Sequence, residues 1–158
     1  MTISFDKLSE IRKKHSHERI VLGSGVFDLL HWGHIPYLKA LKKYGDIVVV
    51  GVMDDAGVRH KKGLQRPVLA QDHRVLLVDS IKGVDYTFVA PFDPTDLAYT
   101  KIFRHLKPDV FYTTNPRWET FKELEDINII IGDRYVPGYP ASTTDIISEI
   151  IKKSSAEF

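Results

Sequence analysis

The chain has 158 residues, 43% of them apolar, with 22 basic and 21 acidic side chains and a net charge of +1. This size predicts one soluble domain over residues 1–158, with its core at about 19–153. Balanced charge argues against a nucleic-acid partner, and the absence of cysteine excludes disulfides and thiol catalysis. Without a run of ~20 apolar residues or a secretory leader pattern, we expect no membrane association and a cytoplasmic location.

Hydrophobic periodicity predicts alternating strands and helices after a polar amphipathic helix at Ser4–His15. Apolar runs typical of strands lie at Ile20–Gly23, Ile47–Met53, Tyr86–Val89, Val110–Tyr112 and Ile127–Ile131. Helical patterns lie at His34–Tyr44, Asp72–Ile81, Thr95–Leu106, Trp118–Leu124 and Ser142–Lys153. Several strands are apolar on both faces, as in a parallel sheet covered by helices. We therefore predict an α/β, Rossmann-like, doubly wound domain with a five-stranded parallel sheet and an extra N-terminal helix.

The segment Gly25–His34, GVFDLLHWGH, joins the first strand to the first helix of this pattern. A helix start offers unpaired backbone N–H groups and the positive end of the helix dipole, which attract phosphate. Gly33 allows a phosphate to approach closely, and His31 and His34 can donate hydrogen bonds to its oxygens. The segment predicts a phosphate-binding site for a nucleotide. The alternatives are a zinc site, for which no further ligand cluster is evident, and ordinary histidines beside a core strand.

Charged residues follow the second strand. Asp54 and Asp55 end it, where one of them would contact a ribose hydroxyl or hold Mg²⁺ through water, or else cap a short turn. The basic segment Arg59–Val68 is interpreted as a flexible loop, either closing over a triphosphate or simply solvated. Arg74 lies near a helix start, where a cation is unfavourable, and so is expected to face a ligand anion. The alternative for Arg74 is a surface ion pair with Asp72 or Asp79.

The last helix begins at Ser142-Thr143-Thr144-Asp145. The spacing of Ser142 and Asp145 is typical of a capping box, and that structural explanation is sufficient by itself. The hydroxyl groups and the free N–H groups of this helix start also form a candidate second phosphate cradle.

Taken together, these motifs resemble those of the cytidylyltransferase-like nucleotidyltransferases, over roughly Val21 to Ile151. Gly25–His34 resembles the HxGH motif and Ser142–Thr144 the STT motif, which in that family contacts the triphosphate from the opposite side. Lys62-Gly63, Arg66-Pro67-Val68 and Arg74 resemble the KG, RPV and R pattern of heptose-1-phosphate adenylyltransferase domains. The segment Phe27–His34, FDLLHWGH, is similar to the corresponding motif of glycerol-3-phosphate cytidylyltransferases.

The resemblance implies roles for specific residues. The implied catalytic residues are His31, His34, Lys61, Lys62 and Arg74, with the two lysines as alternatives because the two branches favour different ones. The implied nucleotide-binding residues are Gly25, Val26, Phe27, Asp28, Gly33, Asp54, Thr113, Asn115, Ser142, Thr143 and Thr144. No protein metal ligand is implied.

Two segments depart from the family pattern. Tyr112–Trp118 lacks the glycines and aspartates that often contact base and acceptor, and Arg134 lies further upstream than the arginine that precedes STT in cytidylyltransferases. Gly138-Tyr139-Pro140 occupies the positions shortly before Ser142 instead. Trp118 and Tyr139 are candidates for stacking on a base or lining a sugar pocket, with plain packing as the alternative.

The implied reaction transfers a nucleoside monophosphate from a nucleoside triphosphate, with ATP favoured, to a sugar 1-phosphate of heptose type. Pyrophosphate leaves, Mg²⁺ is the expected cofactor and a homodimer the expected assembly. One alternative uses CTP and glycerol 3-phosphate or a similar phospho-polyol. Another is a nucleotide sensor without turnover.

Overall fold

A computed structural model describes residues 1–95, 97–120, 127–133 and 142–155. Short 3₁₀ helices cover Phe5–Lys7 and Pro116–Thr120. The other elements are, in chain order, α1 (Leu8–Lys14), β1 (Ile20–Gly25), α2 (His34–Leu41), β2 (Ile47–Met53), α3 (Asp55–Lys62), α4 (Gln71–Asp79), β3 (Tyr86–Ala90), α5 (Leu97–Leu106), β4 (Val110–Thr113), β5 (Asn128–Ile131) and α6 (Thr143–Ser155).

The five strands form one parallel sheet in the order β3-β2-β1-β4-β5, which confirms the predicted fold class. Val21 of β1 pairs with Val48 of β2 on one side and with Val110 of β4 on the other. The strand order reverses at β1, and such reversal points are where open α/β sheets bind ligands, beyond the carboxyl ends of the strands. The topology thus marks the edge at which β1 runs into α2.

The core lies on both faces of the sheet, as the doubly apolar strands predict. All of β2 is buried, and its side chains alternate between two clusters: Val49 belongs to one, and Val48 and Val50 to the other. The first cluster also holds side chains of α1 and α5, and the second those of α2 and α4. The N-terminal helix α1 therefore packs in the same layer as α5, on one face of the sheet.

The structure corrects the first part of the basic loop expected at Arg59–Val68, whereas residues 63–68 lie outside the helices and strands, as predicted. Residues 55–62 form helix α3, so the cluster Arg59–Lys62 is its last turn. The Asp54 side chain accepts a hydrogen bond from Gly57 N–H at 2.7 Å and so caps the helix start. The basic residues are favourable at the C-terminal end of a helix, because the dipole is negative there.

Smaller differences concern element ends. Helix α2 ends at Leu41 rather than Tyr44, and β1 continues two residues further than predicted, to Gly25. The helix expected at Trp118–Leu124 is represented by the 3₁₀ turn at Pro116–Thr120, and residues 121–126 lie outside the described part. Within the described ranges, none of the helices combines the length and the apolar character that a bilayer span requires.

Candidate active site

A cavity of about 640 Å³ opens at the carboxyl edge of the sheet, where the strand order reverses. Its size falls within the ordinary range for small-molecule sites. The described residues that line it are Ser24, Gly25, Val26, Phe27, Asp28, His31, Gly33, His34, Pro36, Tyr37, Lys62, Arg66, Thr114, Asn115, Asp133, Ser142, Thr143 and Thr144. The starts of α2 and α6 therefore line one shared space, as a site built from the two predicted phosphate-binding motifs requires.

The two histidines present N–H donors through the same tautomer. His31 Nδ1 accepts a hydrogen bond from Gly33 N–H at 3.1 Å, and His34 Nδ1 accepts one from His31 N–H at 3.2 Å. Because Nδ1 is an acceptor in each ring, the neutral ring carries its proton on Nε2. The buried Nε2 of His31 has no hydrogen-bond partner in the described structure. A buried donor without a partner is costly, so this atom needs an acceptor that the described residues do not supply.

Both histidines are held in the neutral form. Burial lowers the pKa of His34 to about 4, with a further lowering by His31, whose ring centroid lies 3.9 Å away. Burial also lowers the pKa of His31, against a smaller opposite effect of Asp145. Both rings therefore act near neutral pH as uncharged donors rather than as cations.

Asp28 connects the loop after β1 with the segment Arg66–Leu69 and with the start of α6. Its fully buried carboxylate pairs with Arg66 at 2.7 Å and accepts hydrogen bonds from the N–H groups of Val68 and Leu69. Burial raises the pKa of Asp28, but the hydrogen bonds from Leu69, Val68 and Arg66 outweigh it, so the pKa lies below its ordinary value. Its backbone carbonyl accepts a hydrogen bond from Thr143 Oγ1 at 2.7 Å.

The backbone on either side of Asp28 is strained. Phe27 and Leu29 have φ values of 52° and 45°, in the left-handed region that residues with side chains rarely occupy. Such conformations persist where surrounding contacts fix them, and they concentrate at functional sites. The contacts of Asp28 supply that constraint here.

Arg74 requires a correction. Its side chain is fully buried and does not line the cavity. The guanidinium donates to Val26 O at 2.6 Å, to Leu69 O at 2.9 Å and to Asp55 Oδ1 at 2.7 Å. These contacts join α4 to the loop after β1 and to the start of α3. The charged partner of the guanidinium is therefore Asp55, and not a ligand anion or the predicted Asp72 or Asp79.

Two other expected nucleotide contacts are taken up by the protein itself. Asp54 caps α3 and also accepts a hydrogen bond from Phe92 N–H at 2.9 Å, so the alternative of a cap is confirmed. Thr113 is buried, and its hydroxyl accepts from Asn115 N–H at 3.2 Å. Neither residue lines the cavity, whereas Asn115 does.

The structure separates the two candidate lysines. Lys62 lines the large cavity, whereas Lys61 lines a separate cavity of about 10 Å³ beside Phe92 and Tyr99. Consecutive residues of a helix point about 100° apart, so only one of the two lysines faces the large cavity.

The start of α6 combines a cap with a cavity wall. Ser142 Oγ donates to Asp145 Oδ2 at 2.7 Å and accepts from Asp145 N–H at 3.2 Å, which confirms the capping box. Thr143 is buried by its contact with Asp28, and Thr144 is exposed at the cavity.

Sequence reasoning missed five lining residues, Ser24, Pro36, Tyr37, Thr114 and Asp133, whereas Arg66 was noted as part of the RPV pattern without a role of its own. Tyr37 had a local signal, since it lies one helical turn after His34. Its hydroxyl accepts from Ser24 N–H at 2.9 Å and lies 3.0 Å from Tyr112 O, and burial raises its pKa. Thr114 follows β4, whose end lies one residue later than predicted, and Asp133 lies two residues after the correctly predicted end of β5.

The two aromatic residues predicted to stack on a base or line a sugar pocket, Trp118 and Tyr139, have different outcomes. Trp118 is buried in the core cluster, with its ring centroid 4.6 Å from that of Tyr99, so the packing alternative is confirmed for it. Tyr139 lies outside the described residues, together with Arg134, Gly138 and Pro140. Within the described ranges, no three histidine, aspartate or glutamate side chains gather as a metal site.

A doubly wound parallel sheet with two helix starts at one shared cavity defines a Rossmann-like domain. Residues 22–149 match the family described as cytidylyltransferase-like, and the chain belongs to this family. It is accordingly a nucleotidyltransferase.

Curated relatives include longer, two-function proteins. The bifunctional protein HldE of Campylobacter fetus is 36% identical over 156 residues, a match that covers 94% of this chain and 31% of the relative. The bifunctional protein HldE of Helicobacter pylori is 38% identical over 108 residues, covering 68% of this chain and 22% of the relative. The chain thus spans less than a third of the length of these relatives.

Solved structures agree with the fold. A lipopolysaccharide core biosynthesis protein from Thermoplasma volcanium has a TM-score of 0.63 and 28% identity, covering 75% of this chain and 99% of that one. A pantoate-beta-alanine ligase from Francisella tularensis has a TM-score of 0.60 at 16% identity, covering 97% of this chain and 77% of that one. The second similarity shows the fold alone.

Proposed function

We propose that this chain transfers a nucleoside monophosphate, with ATP as the favoured donor, to a sugar 1-phosphate of heptose type. The observation that carries the proposal is the buried, unpartnered Nε2 of His31, a residue that lines a cavity shared by two helix starts. The KG, RPV and R pattern supports the sugar phosphate. The similarity to a lipopolysaccharide core biosynthesis protein and to HldE proteins supports it further.

The proposed chemistry is a direct in-line displacement. A phosphate oxygen of the acceptor attacks the α-phosphorus, a new P–O bond forms, and the bond to the β-phosphate oxygen breaks with its electron pair leaving on pyrophosphate. Because the acceptor phosphate is already anionic near neutral pH, no general base or covalent nucleophile is needed. Catalysis then comes from positioning and from stabilising the charge on phosphate oxygens.

The described residues divide this work by charge and position. His31 and His34 donate from Nε2 to α- and β-phosphate oxygens without adding charge. The N–H groups at the start of α6 bind the far end of the triphosphate, beside the hydroxyl of Thr144. Lys62 is the lysine favoured by the geometry to neutralise the phosphates, since it lines the same cavity.

Mg²⁺ is part of the proposal and fits this site as a phosphate-bound ion. Magnesium commonly uses one or two carboxylates together with substrate phosphates and water, rather than an all-protein cage. Asp133, exposed at the cavity wall, is the residue suited to hold it. When bound, the ion neutralises charge on the β- and γ-phosphates.

Measurement of pyrophosphate release tests this function. ATP, CTP, GTP and UTP are each paired with sugar 1-phosphates and polyol phosphates in the presence of Mg²⁺, and His34→Ala serves as the inactive reference. Release with ATP and a heptose-type sugar 1-phosphate is the expected result. Selective release with CTP and glycerol 3-phosphate would instead support the phospho-polyol alternative suggested by FDLLHWGH, and nucleotide binding without release by any pair would indicate a sensor.

The homodimer expected from the family resemblance remains part of this proposal. Sedimentation equilibrium of the chain, with and without nucleotide, measures its assembly state directly.

A further inference from the structure

The pairing of Arg66 with Asp28 uses only part of the arginine. Nε and Nη2 of Arg66 lie 2.8 and 2.7 Å from the same oxygen, Oδ2 of Asp28. The Asp28 carboxylate also receives the N–H groups of Val68 and Leu69, both at 3.0 Å, and is fully buried. Since its acceptor capacity is taken up by protein donors, this carboxylate does not contact a substrate.

Arg66 has a second edge available. A guanidinium carries five N–H donors in a rigid plane, and Nη1 of Arg66 makes no hydrogen bond or ion pair with the described residues. The residue lines the large cavity, and its side chain is 13% exposed. A planar donor group held at one edge by a carboxylate suits a phosphate oxygen at the other edge.

We propose that Arg66 contacts a phosphate group of the bound substrate through its Nη1 edge, and that Asp28 is the positioning residue that fixes this orientation. The inference deepens the proposed function and rests on it. Asp28 lies three residues before His31, and its carbonyl binds Thr143 at the start of α6. Asp28 therefore fixes the position of Arg66 relative to the two histidines and to the start of α6.

A double-mutant cycle tests whether Asp28 acts through Arg66. Arg66→Ala, Asp28→Asn and the double variant are compared in kcat/KM. We expect a loss of about 30-fold or more for Arg66→Ala, a smaller loss for Asp28→Asn, and a double variant within about twofold of Arg66→Ala. Losses that multiply in the double variant would overturn the positioning role, and unchanged activity of Arg66→Ala would overturn the contact.

Separate titrations distinguish the two sources of the phosphate and do not depend on turnover. Binding of ATP and of mannose 1-phosphate is measured by calorimetry for the unchanged chain, for Arg66→Ala and for Arg66→Lys, which keeps the charge but not the planar fork. A fall of about fivefold or more in affinity for ATP assigns the contact to the triphosphate, and the same fall for mannose 1-phosphate assigns it to the acceptor. Unchanged affinity for both ligands refutes the contact, even if no pyrophosphate is ever released.

Leu106→Ala provides the matched control for lost stability. Leu106 is fully buried on α5, in the core cluster on the other face of the sheet from α2 and α4. Its truncation destabilises the fold without touching the cavity, so kcat and KM should stay unchanged at temperatures where the variant is folded. A kinetic effect of Leu106→Ala equal to that of Asp28→Asn would reduce the role of Asp28 to stability.

Discussion

Replacing His31 by alanine is expected to abolish most turnover while leaving the fold nearly as stable as before. Two stability effects oppose each other. The change removes a buried Nε2 donor that has no partner among the described residues, which relieves an unfavourable burial of about 1–3 kcal/mol. It also removes the Nδ1 acceptor of Gly33 N–H, at a cost of about 1 kcal/mol.

The effect on the reaction is larger, because the same Nε2 is proposed to stabilise charge on a phosphate oxygen. Loss of one such preorganised donor typically costs about 3–4 kcal/mol of transition-state stabilisation, which corresponds to roughly 100-fold to 1,000-fold in turnover. The free energy of unfolding should meanwhile change by no more than about 1–2 kcal/mol in either direction.

Initial rates of pyrophosphate release at saturating substrate and urea denaturation curves measure the two quantities on the same preparations. His17→Ala is the control, since His17 is exposed and lies before β1. A His31→Ala variant that keeps normal turnover, or one that unfolds as severely as a truncated core side chain, would refute the interpretation of His31 as a donor that awaits a ligand.

Three further predictions concern charge and capping. His34 has a folded pKa of about 4 against an ordinary value near 6.5, so its contribution to stability is complete above pH 6.5 and is lost as the pH falls towards 4. The loss should amount to about 2–3 kcal/mol in the free energy of unfolding, measured by urea denaturation at both pH values and compared with His34→Gln. Lys62→Ala should raise the KM for the nucleotide about tenfold, and Lys61→Ala should change it much less; equal effects would contradict the geometry. Asp54→Ala should lower the free energy of unfolding by about 1–2 kcal/mol through the lost cap at Gly57 N–H and leave kcat unchanged, whereas a fall in kcat would restore Asp54 to the active site.

Patterns of neighbouring residues predict much of this protein. Strands that are apolar on both faces, such as β2, can be stable only between two helical layers, so their sequence specifies the doubly wound sheet. The HxGH segment and the Ser142–Asp145 box place both helix starts, because a cap and a dipole involve residues within one turn of each other. The convergence of these two starts on one cavity follows from the parallel topology.

The roles of the individual charged residues were decided only by the tertiary structure. Arg74 and its acceptor on Val26 are 48 residues apart, and Asp28 and Arg66 are 38 apart. The energy of a buried charge depends on such distant partners, since an unpaired charge cannot be desolvated and its partner can come from any element. Sequence spacing therefore determined where the two helix starts lie, and packing determined which cations line the cavity between them, as Lys62 and Arg66 do, and which are buried behind it, as Arg74 is.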